Sequence, residues 1–454
     1  MRLHSGICCK TYNQRCNQSL NHYNLWFDFS VNVCMPKLNQ DNPVQSSALS
    51  DIETSSKIQS ALEPKFHKPE KRLCLSPGLS DKHLARRWQV LEQVTNKDHL
   101  LDPFTQSHCD AYSNNIEHFV GTVNVPVGIA GPLRVNGLYA NDDFLVPLAT
   151  TEAALVASYN RGANLITAAG GASALLLSEG VSRTPVFAFN NLADAGQFVS
   201  WVVTQFEVFR QIAESTTSHG KLKDINVNIE GNHVYLVFEY VTGDASGQNM
   251  VTIATNEVFH HILATSPIKP TQAFLDGNLS GDKKPNAHTL RSVRGKKVSA
   301  EVTIPAELVE KYLHTTPESM VQFGKMTTVG GLLSGTIGVN AHYANALAAL
   351  YIACGQDAAC VAESAIGITR MDVDTQGNLY ACVTLPNIMV GTVGGGTGLP
   401  TQKACLDILG LHGNGKAKAL AEVAAALCLA GELSIVGAFC ADHFSRAHHK
   451  LARK

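Results

Sequence analysis

Residues 185–276 carry the pattern that most restricts how this 454-residue chain can fold. Residues 186–189 read as a strand and 192–213 as one long amphipathic helix. Residues 222–230 and 233–240 read as two strands joined by Gly231-Asn232, a two-residue hairpin signal. Residues 249–264 then read as a helix and 272–275 as a closing strand. That order, βαββαβ, is the split-βαβ or ferredoxin-like plan. It reads as a small domain inserted into a larger one, which makes the chain an α+β protein.

The larger part turns on residues 147–166, PLATTEAALVASYNRGANLI. Thr150 or Thr151 can cap a helix by accepting from an N–H of its first turn. Glu152 then falls in that turn, ahead of Ala153, Ala154, Leu155, Val156 and Ala157. A helix apolar on every side is a buried helix, so Glu152 reads as a carboxylate carried inside. Burial penalises its charged form and the helix N-terminus favours it. If burial wins, Glu152 can hold and deliver a proton near neutral pH. The plain alternative is a glutamate at a helix N-terminus with no chemical role. Gly170-Gly171 breaks this helix from a second helical run through Leu177.

At roughly 150 residues per domain the length suggests about three domains. With 45% hydrophobic and 16% charged residues the chain can bury a large core, and a net charge of -2 offers no electrostatic case for nucleic acid or an anionic membrane. The 12 cysteines form no C-x-x-C pair, which argues against a disulfide framework or zinc module and for a reducing cytoplasm. Cys440, His443 and His448 superficially suggest metal ligands, but no second ligand pair accompanies them, so no metal is expected. Residues 423–441 are the most apolar long stretch. Glu432 within it, and glycines at 431 and 437, predict a buried helix broken near Gly431 rather than a membrane span. Residues 1–75 are polar and aperiodic and read as a disordered or variable extension, with no signal-peptide pattern. Residues 81–93 read as a short helix opened by Ser80, and residues 116–133 alternate like a strand.

Four further stretches carry possible chemistry. Residues 243–250, GDASGQNM, place two glycines before a helix N-terminus, where an anion can bind, though an ordinary loop fits as well. Residues 281–285, GDKKP, are either a solvated turn or a lysine held by Asp282 to stabilise an oxyanion. Residues 345–366 predict a second buried helix, interrupted by Gly355-Gln356-Asp357. A buried Asp357 needs a cation or a shared proton, and Lys283 and Glu152 are the candidates; a structural ion pair is the alternative. Residues 390–398, VGTVGGGTG, can cradle a phosphate or allow close packing.

Taken together, these pieces resemble the 3-hydroxy-3-methylglutaryl-coenzyme A reductase family from about Ile116 to His448. The resemblance rests on ATTE at 149–152, GDASGQNM, DKKP, NAHYAN at 340–345, YIACGQDAA at 351–359, GTVGGGT and the closing His region. YIACGQDAA and the intact DKKP resemble the class I-like enzymes, and ESTTSHGKL at 214–222 their soluble archaeal or bacterial branch. The resemblance implies reduction of HMG-CoA to mevalonate and CoA with two NADPH, in a homo-oligomer (a dimer of dimers) with sites between subunits. It implies that Lys283 stabilises the oxyanion and Glu152 protonates the aldehyde oxygen. Asp357 sets the protonation of both, and His448 protonates the CoA thiolate. Arg183, Lys284 and Asp282 fall on the acyl-carboxylate side, Asn345 near the reacting centre, and Ser158 and Arg161 on the CoA side. Asp244, Gly247, Asn249 and Met250, with Val393, Gly394, Gly395 and Gly396 opposite, match the cofactor site. His219 and Lys221 are the nearby candidates for a 2′-phosphate.

The implied architecture is a large, mostly helical domain (76–184 and 277–427) around the Asn345 helix. To it are added the ferredoxin-like cofactor domain (185–276) and a C-terminal flap (428–454). Several positions depart from the family pattern: Asp276 where Ser is usual, Asn286 and His288 after DKKP, His118 and Asn164. Asp276 would repel a substrate carboxylate if it faced one. Two rival readings follow, a degenerate CoA-thioester sensor without turnover and a reductase of another acyl-CoA.

Overall fold

The computed structural model describes residues 78–91 and 93–442, together with Pro64 and Phe66. The chain divides into units 1–70 and 71–454, and all the elements described belong to the second. His443, His448 and most of the 1–75 extension lie outside the described residues.

Eleven strands form one sheet: β1 (Val127–Gly137), β2 (Asn141–Ala149), β3 (Ala172–Arg183), β4 (Val186–Ala188), β5 (Lys221–Glu230), β6 (His233–Val241), β7 (Gln272–Phe274), β8 (Gly295–Ile304), β9 (Gly338–Val339), β10 (Gly367–Val373) and β11 (Leu379–Ile388). The spine runs β7-β4-β6-β3-β8-β11-β10-β9, with β5 on β6 and with β1 on both β2 and β3. At the β7 end, β4 lies antiparallel between β7 and β6, and β5 pairs antiparallel with β6. This is the 4-1-3-2 order of a split-βαβ unit. The single long helix expected over 192–213 is two, Leu192–Thr204 and Phe206–Ser215, joined at Gln205.

The other half of the sheet corrects the expectation of a mostly helical large domain. The run expected to be helical after Gly170-Gly171 is β3. Both glycines take a left-handed φ, 102° and 108°, and turn the chain out of the Leu155–Ala168 helix. Alanine and leucine favour helices, but β1 and β8 flank Ala172–Gly180 and their pairing overrides propensity.

The central helix is not the Asn345 helix but Ala417–Cys440, buried from Ala419 to Ala438 save for Ile435. It is long and apolar enough to cross a membrane, yet it is mostly buried inside the protein, as a core helix is. The break expected at Gly431 is absent. A Cβ there would meet the Tyr159 ring, and one at Gly437 the Leu313 side chain. These glycines therefore permit close packing rather than a kink.

Two carboxylates on this helix tie it to loops. Glu422 accepts from the backbone N–H of Tyr139 (2.9 Å) and Ala140 (2.8 Å). Glu432 accepts from Ala341 N, His342 N and Thr369 Oγ1 at 2.7–3.0 Å. Burial raises the Glu432 carboxyl above its ordinary range, while the two backbone N–H groups oppose that rise. The N-terminal helix is Asp81–Val90. Ser80 leads it but its hydroxyl meets His83 Nδ1 instead of capping a backbone N–H. The strand expected over 116–133 begins only at Val127.

Candidate active site

Glu152 does not sit in a helical turn. The helix begins at Leu155, its N-cap Ala154 has a left-handed φ of 69°, and Glu152 is exposed in the preceding turn. Thr150 Oγ1 accepts from Glu152 N (3.0 Å), a local turn bond rather than a helix cap. The carboxylate faces Asn345, whose Nδ2 approaches both oxygens at 3.3 and 3.4 Å. Glu152, Asn345, Ser158 and Arg161 line one cavity of about 410 Å³, with His342 and Phe439. Arg161 donates to Ser434 O at 2.7 Å, and Ser158 Oγ meets Ser434 Oγ at 2.8 Å.

Asp357 corrects the expected second buried helix. That helix spans Tyr343–Ala353 only; Gly355 then turns the chain with φ 67°. Asp357 caps the 3₁₀ turn Ala358–Cys360: its Oδ1 accepts from Ala359 N (3.0 Å). Its Oδ2 is left for Lys283 Nζ at 3.0 Å, with the two side chains 44% and 38% exposed. The bond to Asp357 raises the Lys283 pKa, so the ammonium stays charged through neutrality. Lys283 has a left-handed φ of 56°, a conformation that costs a non-glycine residue of order 1 kcal/mol or more. Such strain persists only where the surroundings hold it.

Here the surroundings are charged. Asp282 Oδ1 accepts from Arg294 Nη2 (2.6 Å), and its Oδ2 from Arg183 Nη2 (3.1 Å). Burial alone would raise Asp282, but the two guanidinium groups prevail and hold its carboxyl below the usual range. Arg294 also donates to Glu363 Oε2 (2.6 Å) and Ser182 O (2.9 Å), and neither Arg294 nor Glu363 is exposed. Burial raises the Glu363 carboxyl, with Arg294 opposing. Asn286 closes the loop, accepting from Thr289 N (3.1 Å) and donating to Lys284 O (3.2 Å). Lys284 Nζ reaches only its own turn, at Asp282 O (3.1 Å). His288 and His118 are exposed; nothing in the structure explains either substitution, nor Asn164.

Arg183, read as a substrate-carboxylate ligand, already holds two carboxylates. Its Nη1 lies 2.5 Å from Asp276 Oδ2, in addition to the Asp282 bond.

On the cofactor side, Asp244 does not point into open space. Its carboxylate accepts from Gly415 N (2.7 Å) and Ala417 N (3.2 Å), at the start of the central helix. Gly247 is the left-handed N-cap of the Gln248–Thr265 helix, with Asn249 and Met250 in its first turn. Gly394 and Gly395 form an exposed left-handed turn in which a Cβ would meet nothing. Gly355 packs on the Gly396 backbone, and Gln356 Oε1 accepts from Gly391 N (2.8 Å), so this loop is joined to the stretch of chain holding Asp357. Gln248 Nε2 reaches Cys360 Sγ (2.8 Å) in the same turn. Lys221 is paired with Glu214 (2.7 Å), while His219 is exposed and its loop packs on Met250 through Thr217.

The structure thus brings together Lys283 with Asp357, Glu152 with Asn345, and Arg183 with Asp282. Among the described residues no hydrogen bond or ion pair joins Glu152 to Lys283 or Asp357, and no group of His, Cys, Asp or Glu is arranged to hold a metal. The residues missed by sequence reasoning are Arg294 and Glu363. Arg294 sits two residues before Lys296 and reads as an ordinary surface cation, with no local signal of burial.

A strained lysine–carboxylate pair beside a glycine-rich turn, on a mixed α/β sheet, places the chain in a known fold class. It is similar to class II 3-hydroxy-3-methylglutaryl-CoA reductase of Streptococcus pneumoniae, a structure bound to NADPH, with a TM-score of 0.60 and 18% identity over 80% of this chain and 100% of that one. The family model for hydroxymethylglutaryl-coenzyme A reductase matches residues 83–453. A reductase of that name from Methanothermobacter thermautotrophicus is 45% identical, covering 76% of this chain and 86% of its own. One from Pyrococcus horikoshii is 42% identical over 86% and 96%. The chain belongs to the hydroxymethylglutaryl-coenzyme A reductase family.

Proposed function

We propose that this chain reduces (S)-3-hydroxy-3-methylglutaryl-CoA to mevalonate and CoA with two NADPH. The observation that carries the reading is the Lys283–Asp357 pair at 3.0 Å, a charged ammonium held on the DKKP loop and open to solvent. The cofactor fits the residues present: an open left-handed Gly394–Gly395 turn and the N-terminus of the Gln248–Thr265 helix can receive a phosphate backbone. Gly247, Asn249, Met250 and Val393–Gly396 would hold it, with His219 the freer candidate for the 2′-phosphate and Lys221 shared with Glu214. Bound NADPH supplies hydride to the acyl carbon in each of two reductions.

The rest is the chain's own work. Lys283 stabilises the alkoxide formed at the thioester carbonyl, and Asp357 keeps that lysine oriented and charged. The C–S bond then breaks, leaving aldehyde and CoA thiolate, and His448 gives the thiolate a proton. Phe439, nine residues before His448 in the chain, lines the Glu152 cavity, which supports this role. In the second reduction Glu152 protonates the aldehyde oxygen, oriented by Asn345. Ser158 and Arg161 line the CoA side, and Lys284 and Arg183 receive the acyl carboxylate. We take residues 185–276 as the cofactor-binding domain and 76–184 with 277–440 as the substrate domain; the closing flap expected from 428 is confined to the residues after Cys440, because 428–440 belong to the buried central helix. A class I-like, cytoplasmic homo-oligomer is part of the same reading, supported by the intact DKKP and YIACGQDAA motifs and by seven free cysteines among the described residues.

The test follows loss of NADPH absorbance on adding HMG-CoA or free mevaldehyde to purified protein. Turnover of both is expected. His448→Gln should lose about 10²–10⁴-fold on the thioester and little on the aldehyde. No turnover of either substrate by the unmodified chain would sink the proposal.

A further inference from the structure

We propose that Asp276 is a specificity-determining residue: an internal carboxylate that occupies Arg183 and competes there with the free carboxylate of the acyl substrate. The inference rests on the reading that Arg183 receives that carboxylate.

Three carboxylates share two guanidinium groups in this part of the protein. Arg183 binds Asp276 (2.5 Å) and Asp282 (3.1 Å), and Arg294 binds Asp282 (2.6 Å) and Glu363 (2.6 Å). Arg294 and Glu363 are fully buried, and Asp282 is held from both sides. These three cannot leave without abandoning a buried charge. Asp276 differs: its side chain is 39% exposed, against 10% for Arg183. It is the one carboxylate of the set that water can receive.

Its place is set by the backbone rather than chosen by the ion pair. Gly277 N donates to Thr184 O (2.6 Å), next to Arg183 in sequence. Asp276 Oδ1 accepts from Asn278 N (2.7 Å), which leaves Oδ2 facing Arg183. A Cβ at Gly277 would meet Val186 and Tyr235, so the turn has little freedom to move away. A serine here would carry no charge and could donate a hydrogen bond to an arriving carboxylate. An aspartate only accepts, so it repels the same group.

A substrate carboxylate approaching Arg183 therefore meets a guanidinium that already holds two carboxylates. It must displace Asp276 towards solvent, and that displacement weakens binding without touching the hydride acceptor. An interaction that costs ground state and transition state alike appears in KM and not in kcat. Acyl-CoA substrates lacking a terminal carboxylate escape this cost.

The test compares the unmodified protein with Asp276→Ser, Asp276→Asn, Arg183→Gln and the Arg183→Gln/Asp276→Ser pair. KM for HMG-CoA is measured, with competitive Ki values for free 3-hydroxy-3-methylglutarate and for CoA. Asp276→Asn keeps the shape and the Asn278 bond, so it stands in if the serine variant folds poorly. Removing the charge should lower KM and the hydroxymethylglutarate Ki by roughly tenfold or more, since like-charge juxtaposition costs this much readily. The CoA Ki should not move. In the Arg183→Gln background the gain should vanish, because the competition needs the guanidinium. Unchanged or raised values for both Asp276 variants, while Arg183→Gln still weakens binding, would overturn the proposal and leave the Arg183 reading standing. If Arg183→Gln changes neither KM nor Ki, Arg183 does not hold the carboxylate, and the reading beneath the proposal fails.

Discussion

Two ion pairs connect the same two stretches of chain, residues 281–294 and 357–363. Arg294 and Glu363 meet at 2.6 Å with no exposure on either side. Lys283 and Asp357 meet at 3.0 Å with roughly two fifths of each side chain open to water. The buried pair sits among further partners, Asp282 and Ser182 O, and cannot exchange them. The exposed pair has a free approach and a strained lysine backbone. A single polar layer thus does two jobs. Its dry half fixes the distance between two loops, and its wet half leaves a cation open to solvent.

That division makes the dry half the place to break the structure. Arg294→Met should cost about 3–5 kcal/mol in denaturant unfolding, because Glu363 and Asp282 are left without their shared cation. Adding Glu363→Gln should recover part of the loss. Near-normal stability of Arg294→Met would show that the buried pair does not anchor the loop.

The wet half should behave oppositely. Lys283→Ala should leave unfolding midpoints close to those of the unmodified chain, since an exposed pair contributes about 0–1 kcal/mol. Its turnover should fall by at least about 10²–10³-fold, the loss typical of removing one donor to a developing oxyanion. Steady-state rates on HMG-CoA and mevaldehyde would show it, and turnover near normal would remove Lys283 from the chemistry.

Asp282 lies between the halves and gives the smallest effect, one of pH. Its folded pKa is depressed, so its stabilisation is present above the unfolded value of about 3.9 and is lost as pH falls through the lower, folded value. The stability gap between the unmodified protein and Asp282→Asn should be constant from neutrality to about pH 4 and shrink below that. A gap that narrows already between pH 7 and 5 would mean that another group controls the loop.

Some of this could be read from the chain alone. Strand alternation and the Gly231-Asn232 turn mark the β5–β6 hairpin because both signals are local, set by residues two to four apart. Lys283 is one of two partners expected for a buried Asp357; the pair forms, but with Asp357 exposed, so burial is not its cause. Other parts could not. Residues 172–177 favour a helix by composition, and only β1 and β8 on either side make them a strand. Glycines at 431 and 437 suggest a break until Tyr159 and Leu313 are seen to need the space.

The amino-acid sequence by itself therefore determined the family, the order of the βαββαβ segment and the residue types that the chemistry requires. These depend on short-range patterns and on side-chain identity. The tertiary structure decided which charges face each other: Asp244 towards the central helix, Arg294 into the core, Asp276 onto Arg183. Those partners lie 12 to 173 residues apart in the chain. Coulomb interactions and burial depend on distance in space, which no local pattern encodes.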